Sequence, residues 1–459
     1  MIRWRLIVAL LAMLLPVLLF VRPVLAEPDY FDLSMDVLIG SDTDRARALE
    51  VMVAQGDTMI PTLVLLMRIG GAHVATQAAL KTLTGHDLPD WHAAMKYQEA
   101  NPQHVPHPSF DALKLWYLGG LDTDFLDLFA QPIAHAAMGF RFEEITWGGA
   151  LFDDIPPLDA PKRVPADQAD YLLADDLVFG VEINGDARAY PLRILGWHEM
   201  VNDVIGGVPV ALAYCTLCGA GILFDTQVDG RVDPFVFGSS GLLYRSNKLM
   251  FDRDTKSLWN QFTGAPVVGP LASSGMRLTI RPTVITTWSK WRADHPHTTV
   301  LSLDTGHIRN YDSGFVYREY FASPDLMFPT LTDETRLAQK TYIYGIRVAG
   351  GAKAWPLEAF AQERVINDQV GFTNVVLIGD AATRTVRAYD RGAQLFEAAP
   401  TGLTGLTGLK GPGGAWQITE TALIGPKGER APRVPGHVSY WFAWDGYLGA
   451  GSALYVSDP

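Results

Sequence analysis

The sequence predicts an α+β fold: a tandem duplicated, mainly antiparallel β domain with one helix per copy, preceded by a small all-α, HEAT-like segment. Three observations predict it. Apolar residues recur at helical spacing through residues 27–150, strand-like runs separated by turn residues fill the rest, and one long stretch repeats another at a fixed offset.

The chain opens with "MIRWR", fifteen apolar residues at 6–20 and "VLA" at 24–26. That is the basic, apolar, small-residue order of a secretory signal, cleaved near Ala26. The expected location is extracytoplasmic, periplasmic or secreted. An uncleaved N-terminal anchor is the one route to a membrane, because fifteen apolar residues fall short of the roughly 20 that span a bilayer. The net charge of −13, with no Lys/Arg-rich run, argues against nucleic acid or an anionic lipid surface as partner.

Helices come next. "DRARALEVMVAQG" (44–56), "IPTLVLLMRIG" (60–70) and "HVATQAALKTLTG" (73–85) each close on glycine, and "LPDWHAAMKYQEANP" (88–102) adds a fourth. Asp42 and Thr43 are the expected caps of the first, and Pro61 suits a first helical turn. "DDIPPLDAPKRVPADQADYL" (153–172) carries Pro156, Pro157, Pro161 and Pro165, so a linker is assigned to 151–165. The first α+β copy then spans 166–310 and the second, degenerate copy 311–459.

"VFGVEINGDARAYPLRILGWHEMVNDVIG" (178–206) aligns without gaps on "IYGIRVAGGAKAWPLEAFAQERVINDQVG" (343–371), an offset of 343 − 178 = 165. Gly180/Gly345, Pro191/Pro356, Asn202/Asn367, Asp203/Asp368 and Gly206/Gly371 are identical, and a W-x-x-W recurs at Trp288/Trp291 and Trp441/Trp444. Each copy reads as a hairpin turning at Asn184-Gly185 or its equivalent. A helix of about 13 residues follows, opened by Pro191, ending near Gly206 and burying Ile194, Trp197, Val201 and Val204. Alternating strands "PVALAY", "GILFDT", "FVFGSS" and "LLYRSN" complete the unit. Asn202 and Asp203, shared by both copies, read as capping or loop-bracing residues at the helix end.

What only one copy keeps is the candidate for chemistry. His198 and Glu199 face Glu363 and Arg364 in the second copy; Cys215 and Cys218, the only cysteines, face Asp380 and Thr383. Two cysteines three apart in an oxidising compartment should pair. As a staple so short a loop contributes only about 2 kcal/mol. A histidine can carry a proton, activate a thiol or bind a metal, and Glu199 would orient it. The leading expectation is a thiol-redox protein, a thiol-disulfide oxidoreductase if an enzyme, with Cys215, Cys218, His198 and Glu199 at work. It needs no cofactor and acts on an unknown redox or protein partner. The alternatives are a module holding a soft ion such as Cu(I) with Cys215, Cys218 and His198, or a non-catalytic β-rich interaction module. A structural zinc site would want a second C-x-x-C or H-x3–5-H, which the sequence lacks, although the His pairs of "HVPHP" (104–108) and "HPH" (295–297) could donate ligands from a distance. A thioredoxin-type fold is not expected, because Gly219, Gly221 and a strand follow the motif. "FGSSGLLYRSNKLMFDRDTKSLWNQ" (237–261) is the densest polar-aromatic stretch, so Tyr214, Tyr244, Arg245 and Trp259 are the expected substrate contacts beside the sulfurs. No nucleophile elbow, P-loop or dinucleotide fingerprint occurs, and "TGLTGLTGLKGPGG" (401–414) reads as a flexible loop.

"AYPLRILGWHEMVNDVIGGVPVALAYCTLCGAG", "GLLYRSNKLMFDRDTKSLWNQFTGAPVVGPL" and "TTWSKWRADHPHTTVLS" closely resemble a bacterial and archaeal family catalogued as a domain of unknown function. The resemblance covers roughly residues 140–455. In that family the motif is typically Y-C-P-L-C, so Thr216 is a mild departure. Some members are labelled possible selenoproteins, which implies redox chemistry at Cys215 or Cys218.

Overall fold

The computed structural model describes residues 28–71, 73–129, 133–400 and 402–456. The expected leader at 1–26 lies outside them. Among the described residues no helix is long and apolar enough to cross a membrane.

Among the described residues six α-helices come first: Tyr30–Ile39, Asp42–Gln55, Ile60–Gly70, Val74–Thr84, Trp91–Ala100 and Phe110–Leu121. Ser41, not Asp42 or Thr43, caps the second. Its hydroxyl accepts the Asp44 N–H while the Asp44 carboxylate accepts the Ser41 N–H, leaving Asp42 in the first turn where negative charge is favoured. Met52, Met59, Ile60, Leu63 and Leu80 are fully buried in this layer's own core.

The remainder is mainly antiparallel sheet, so the α+β reading holds. Leu177–Ile183 and Asp186–Pro191 form a hairpin, flanked by antiparallel Val284–Thr287 and parallel Thr299–Leu301. Tyr342–Val348 and Gly351–Pro356 form another, flanked by antiparallel Gly436–Tyr440 and parallel Ser452–Leu454. The strands Met200–Ile205, Val208–Cys215 and Ala220–Asp225 likewise correspond to Val365–Val370, Thr373–Asp380 and Thr385–Asp390, every bound displaced by 365 − 200 = 165 residues. The recurring Gly and Trp explain one another. A Cβ on Gly180 would lie 2.2 Å from the Trp291 ring, and one on Gly345 would lie 2.1 Å from Trp444. Only a bare Cα lets each indole lie flat on its hairpin.

In the C-terminal half an eight-stranded sheet, from Val365–Val370 round to Glu397–Ala398, curls into a nearly closed barrel. Asn367 clasps its two ends: Nδ2 donates to Phe396 O at 2.7 Å, and Phe396 N donates back to Oδ1 at 3.0 Å. Asn202 holds Phe237 in the same way, at 2.9 and 3.0 Å. The neighbouring carboxylates, Asp203 and Asp368, accept from Tyr190 Oη at 2.9 Å and Trp355 Nε1 at 3.0 Å. The shared Asn-Asp pairs therefore brace strands rather than cap a helix.

Two expectations are corrected. The long helix does not exist: Leu192–His198 is helical, then Glu199 turns left-handed (φ 56°) and Met200–Ile205 is a strand. In "MVNDVI" Val201, Asp203 and Ile205 alternate on the buried face while Asn202 and Val204 face outward, and Gly206-Gly207 (φ 52° and 82°) is the two-residue turn that reverses it into Val208–Cys215. Val204 is 52% exposed, on the outer face, and Trp197, only half-buried against the edge of the core, donates to Asn310 O at 2.7 Å. Nor is the Pro-rich run a free connector. Leu158–Asp159 pairs with Met200–Ile205 and Arg163–Pro165 with Thr299–Leu301, both at sheet edges where proline is tolerated.

Candidate functional site

The apolar strands Val208–Cys215 and Ala220–Asp225 pair with Cys215 opposite Ala220, so the four residues 216–219 form the loop between them. Cys215 and Cys218 are joined by a disulfide across it, their Cα atoms 5.2 Å apart. The C-terminal half grips this loop. Tyr440 N donates to Cys218 O at 2.8 Å and Tyr320 Oη to Leu217 O at 2.7 Å. At Gly219 (φ 61°) an added Cβ would lie 3.1 Å from the Tyr342 ring.

The two sulfurs are not equivalent. Cys215 lines a cleft of about 770 Å³ together with Glu199, Ser239, Lys248 and Tyr317. Cys218 is fully buried behind it, its Sγ 2.8 Å from Asn247 Oδ1. The Asn247 amide nitrogen faces the carbonyls of Arg245 and Ala443, both at 3.3 Å, which fixes the oxygen toward the sulfur.

Beside Cys215 lies a buried polar network. Lys248 Nζ is 3.1 Å from Glu199 Oε2 and donates to Ser239 Oγ at 2.7 Å. Thr216 Oγ1, in the motif itself, donates to Glu199 Oε1 at 2.8 Å. Burial pushes the Lys248 ammonium below the usual lysine range, and Glu199 opposes that shift. Glu199 (φ 56°), Arg245 (49°), Ser246 (61°) and Tyr317 (56°) all have left-handed backbone. Of these, Glu199 and Tyr317 line the cleft, while Arg245 and Ser246 form the turn that leads into Asn247 behind Cys218.

His198 is fully buried close by in sequence but bonds neither sulfur. Its Nδ1 lies 2.7 Å from Pro156 O, which can only accept, so Nδ1 carries the proton and Nε2 accepts from Tyr311 Oη at 2.6 Å. Burial draws the imidazole down to about 4, keeping it neutral in this tautomer. Its two bonds tie Pro156 to the segment that carries Ile308, Arg309 and Asn310, all in the cleft wall.

The four expected contact residues are elsewhere. Tyr214 lines a separate cavity of about 310 Å³. Tyr244 stacks on Phe140 with ring centroids 3.7 Å apart, Arg245 pairs with Glu144 at 2.7 Å, and Trp259 is fully buried, donating to Asp252 Oδ2 at 2.8 Å. Lys248, Thr216 and Tyr317 were not anticipated as site residues. The available signal was a lysine within "NKLMFD", a strand otherwise suited to complete burial. Among the described residues no group of three or more His, Cys, Asp or Glu is placed to hold a metal ion.

One family model, described as "Protein of unknown function (DUF3179)", matches residues 152–450. No curated protein and no solved structure matches the chain.

Proposed function

The chain belongs to the DUF3179 family, for which no activity is established, and from the site geometry we propose that it is a thiol–disulfide redox protein. Cys215 and Cys218 cycle between disulfide and dithiol, exchanging two electrons and two protons with a dithiol partner. The supporting observation is the asymmetry of the pair: both cysteines are buried, but Cys215, 2% exposed, borders a cleft, whereas Cys218 lies behind it against an amide oxygen.

In the oxidising direction a partner thiolate in the cleft attacks Cys215 Sγ. The Cys215–Cys218 bond breaks, a mixed disulfide forms on Cys215, and Cys218 leaves and takes a proton. Asn247 Oδ1 is placed to accept from the new S–H. The partner's second thiolate then attacks its own sulfur in the mixed disulfide, forming the partner disulfide and releasing Cys215 as thiolate. Of the two protons shed by the partner, Cys218 takes one as it leaves and the Cys215 thiolate takes the other after its release. The Lys248 ammonium, held by Glu199, supplies positive charge on the wall Cys215 shares. His198 is a positioning residue that fixes the cleft walls.

The C-terminal half, in this reading a divergent copy that has lost sulfur, contributes the hold on the disulfide loop. The protein works outside the cytoplasm, behind the leader at 1–26, where disulfides persist. Redox titration of the purified protein in thiol buffers tests the reading. A potential well above about −300 mV is expected, and one at or below it marks a structural disulfide and rejects the proposal.

A further inference from the structure

Away from the disulfide, a cavity of about 580 Å³ opens where the two halves of the β region meet. Arg277 and Thr263 line it from the N-terminal half, Arg347 and His437 from the C-terminal half, and none of its lining residues is Asp or Glu. In a chain of net charge −13, two arginines sharing an acid-free cavity are an exception.

The sheet places them together. His437 is directly opposite Gly345 in the ladder between Gly436–Tyr440 and Tyr342–Val348, and Arg347 lies two residues beyond Gly345 on the same face. Among the described residues the Arg347 guanidinium has no ion-pair or hydrogen-bond partner, and that of Arg277 donates only to Thr263 O, at 3.2 Å. His437 is 6% exposed, and its Nε2 is buried with no hydrogen-bond partner. Such groups are normally satisfied. Nor does the fold ask for arginine here. The position related to Arg347 by 165 residues is Glu182, whose carboxylate lies 3.7 Å from His295.

We infer that this cavity binds the oxyanion group, phosphate or carboxylate, of a small molecule, held by Arg347 and Arg277 with an N–H of His437 as a third donor. Burial and the neighbouring Arg277 pull the Arg347 guanidinium down to about 10, the response of a cation lacking its counter-charge, and it stays protonated at neutral pH. Burial holds His437 at about 3, so it remains neutral with one N–H to give. The inference uses neither cysteine, so it stands or falls separately from the redox reading.

The test is calorimetric titration of the full chain at low ionic strength with two probes, inorganic phosphate and succinate. At least one should bind with a dissociation constant below about 1 mM. Phosphate binding alone assigns a phosphate ligand, and succinate binding alone a carboxylate. Arg347→Gln should weaken the bound probe at least tenfold, with Arg347→Lys retaining part of the affinity. Arg277→Gln, at the exposed rim, should weaken binding in a variant whose fold is not at risk. The probe should raise the thermal midpoint of the wild type and leave that of Arg347→Gln unmoved. Failure of both probes to bind overturns the inference, as does undiminished affinity in the folded variants.

Discussion

Cys218 Sγ lies 2.8 Å from Asn247 Oδ1, and the carbonyls of Arg245 and Ala443 hold the amide so that oxygen, not nitrogen, meets the sulfur. A fixed acceptor favours S–H over thiolate at Cys218, while Cys215 shares its wall with an ammonium. In the reduced protein at neutral pH, Cys215 should therefore be alkylated about tenfold faster than Cys218. Peptide mapping after a brief iodoacetamide pulse reads the ratio, and Asn247→Ala should narrow it. Equal labelling in the wild type would contradict the assigned roles.

Lys248 and Glu199 neutralise one another almost out of reach of water. Removing one partner strands a buried charge, so Lys248→Met should cost about 3 kcal/mol in urea unfolding. The double variant Lys248→Met/Glu199→Gln should recover part of that loss. Both should react more slowly with a dithiol than wild type, which separates the charge's chemical role from its structural one.

His198 gives a pH signature. Its pKa falls from 6.5 in the unfolded chain to about 4 in the folded one, so between those values the unfolded state binds more protons. Stability from this group is complete above pH 6.5 and is lost as the pH falls toward 4. The span corresponds to at most about 3 kcal/mol. His437 acts in the same sense, whereas burial pushes the Glu99 carboxyl up to about 7 and takes stability away as the pH rises. The measurement is therefore a difference: the urea midpoint of the wild type relative to His198→Gln should rise with pH between 4 and 6.5.

Gly345 tests the Trp packing. A methyl group there meets the Trp444 ring at 2.1 Å, and Trp444 is pinned by its Nε1 bond to Ser452 Oγ at 2.7 Å. Gly345→Ala should cost about 3 kcal/mol, the upper range for overpacking, read as a lowered thermal midpoint. A loss below about 0.5 kcal/mol would show that the indole can move aside.

The α+β class, the N-terminal helices and the positions of the hairpins were legible because each rests on local pattern: glycine-terminated apolar periodicity, or alternation around Asn184-Gly185 and its relative. Residues 200–205 were misread because Ile194, Trp197, Val201 and Val204 also fit a helical period. The left-handed turn at Glu199 that ends the helix has no glycine to announce it. The pairing of the two cysteines was legible from their spacing, and their absence at 380 and 383 marked the loop as a candidate site. Lys248 was not, since pairing with Glu199 across 49 residues is a fact of tertiary structure. The bonds of His198 to Pro156 and Tyr311, 42 and 113 residues away, leave no trace in local sequence.

The hold on the disulfide loop by Tyr320 and Tyr440 also decides what can be cut away. A fragment ending at residue 310 would keep both sulfurs, Lys248 and Asn247, yet lose the hydroxyl and the amide that fasten Leu217 and Cys218. It would also lose the carbonyl of Ala443 that orients Asn247. The cysteine-bearing half is therefore no portable module: the setting of its disulfide depends on a neighbour that carries no sulfur.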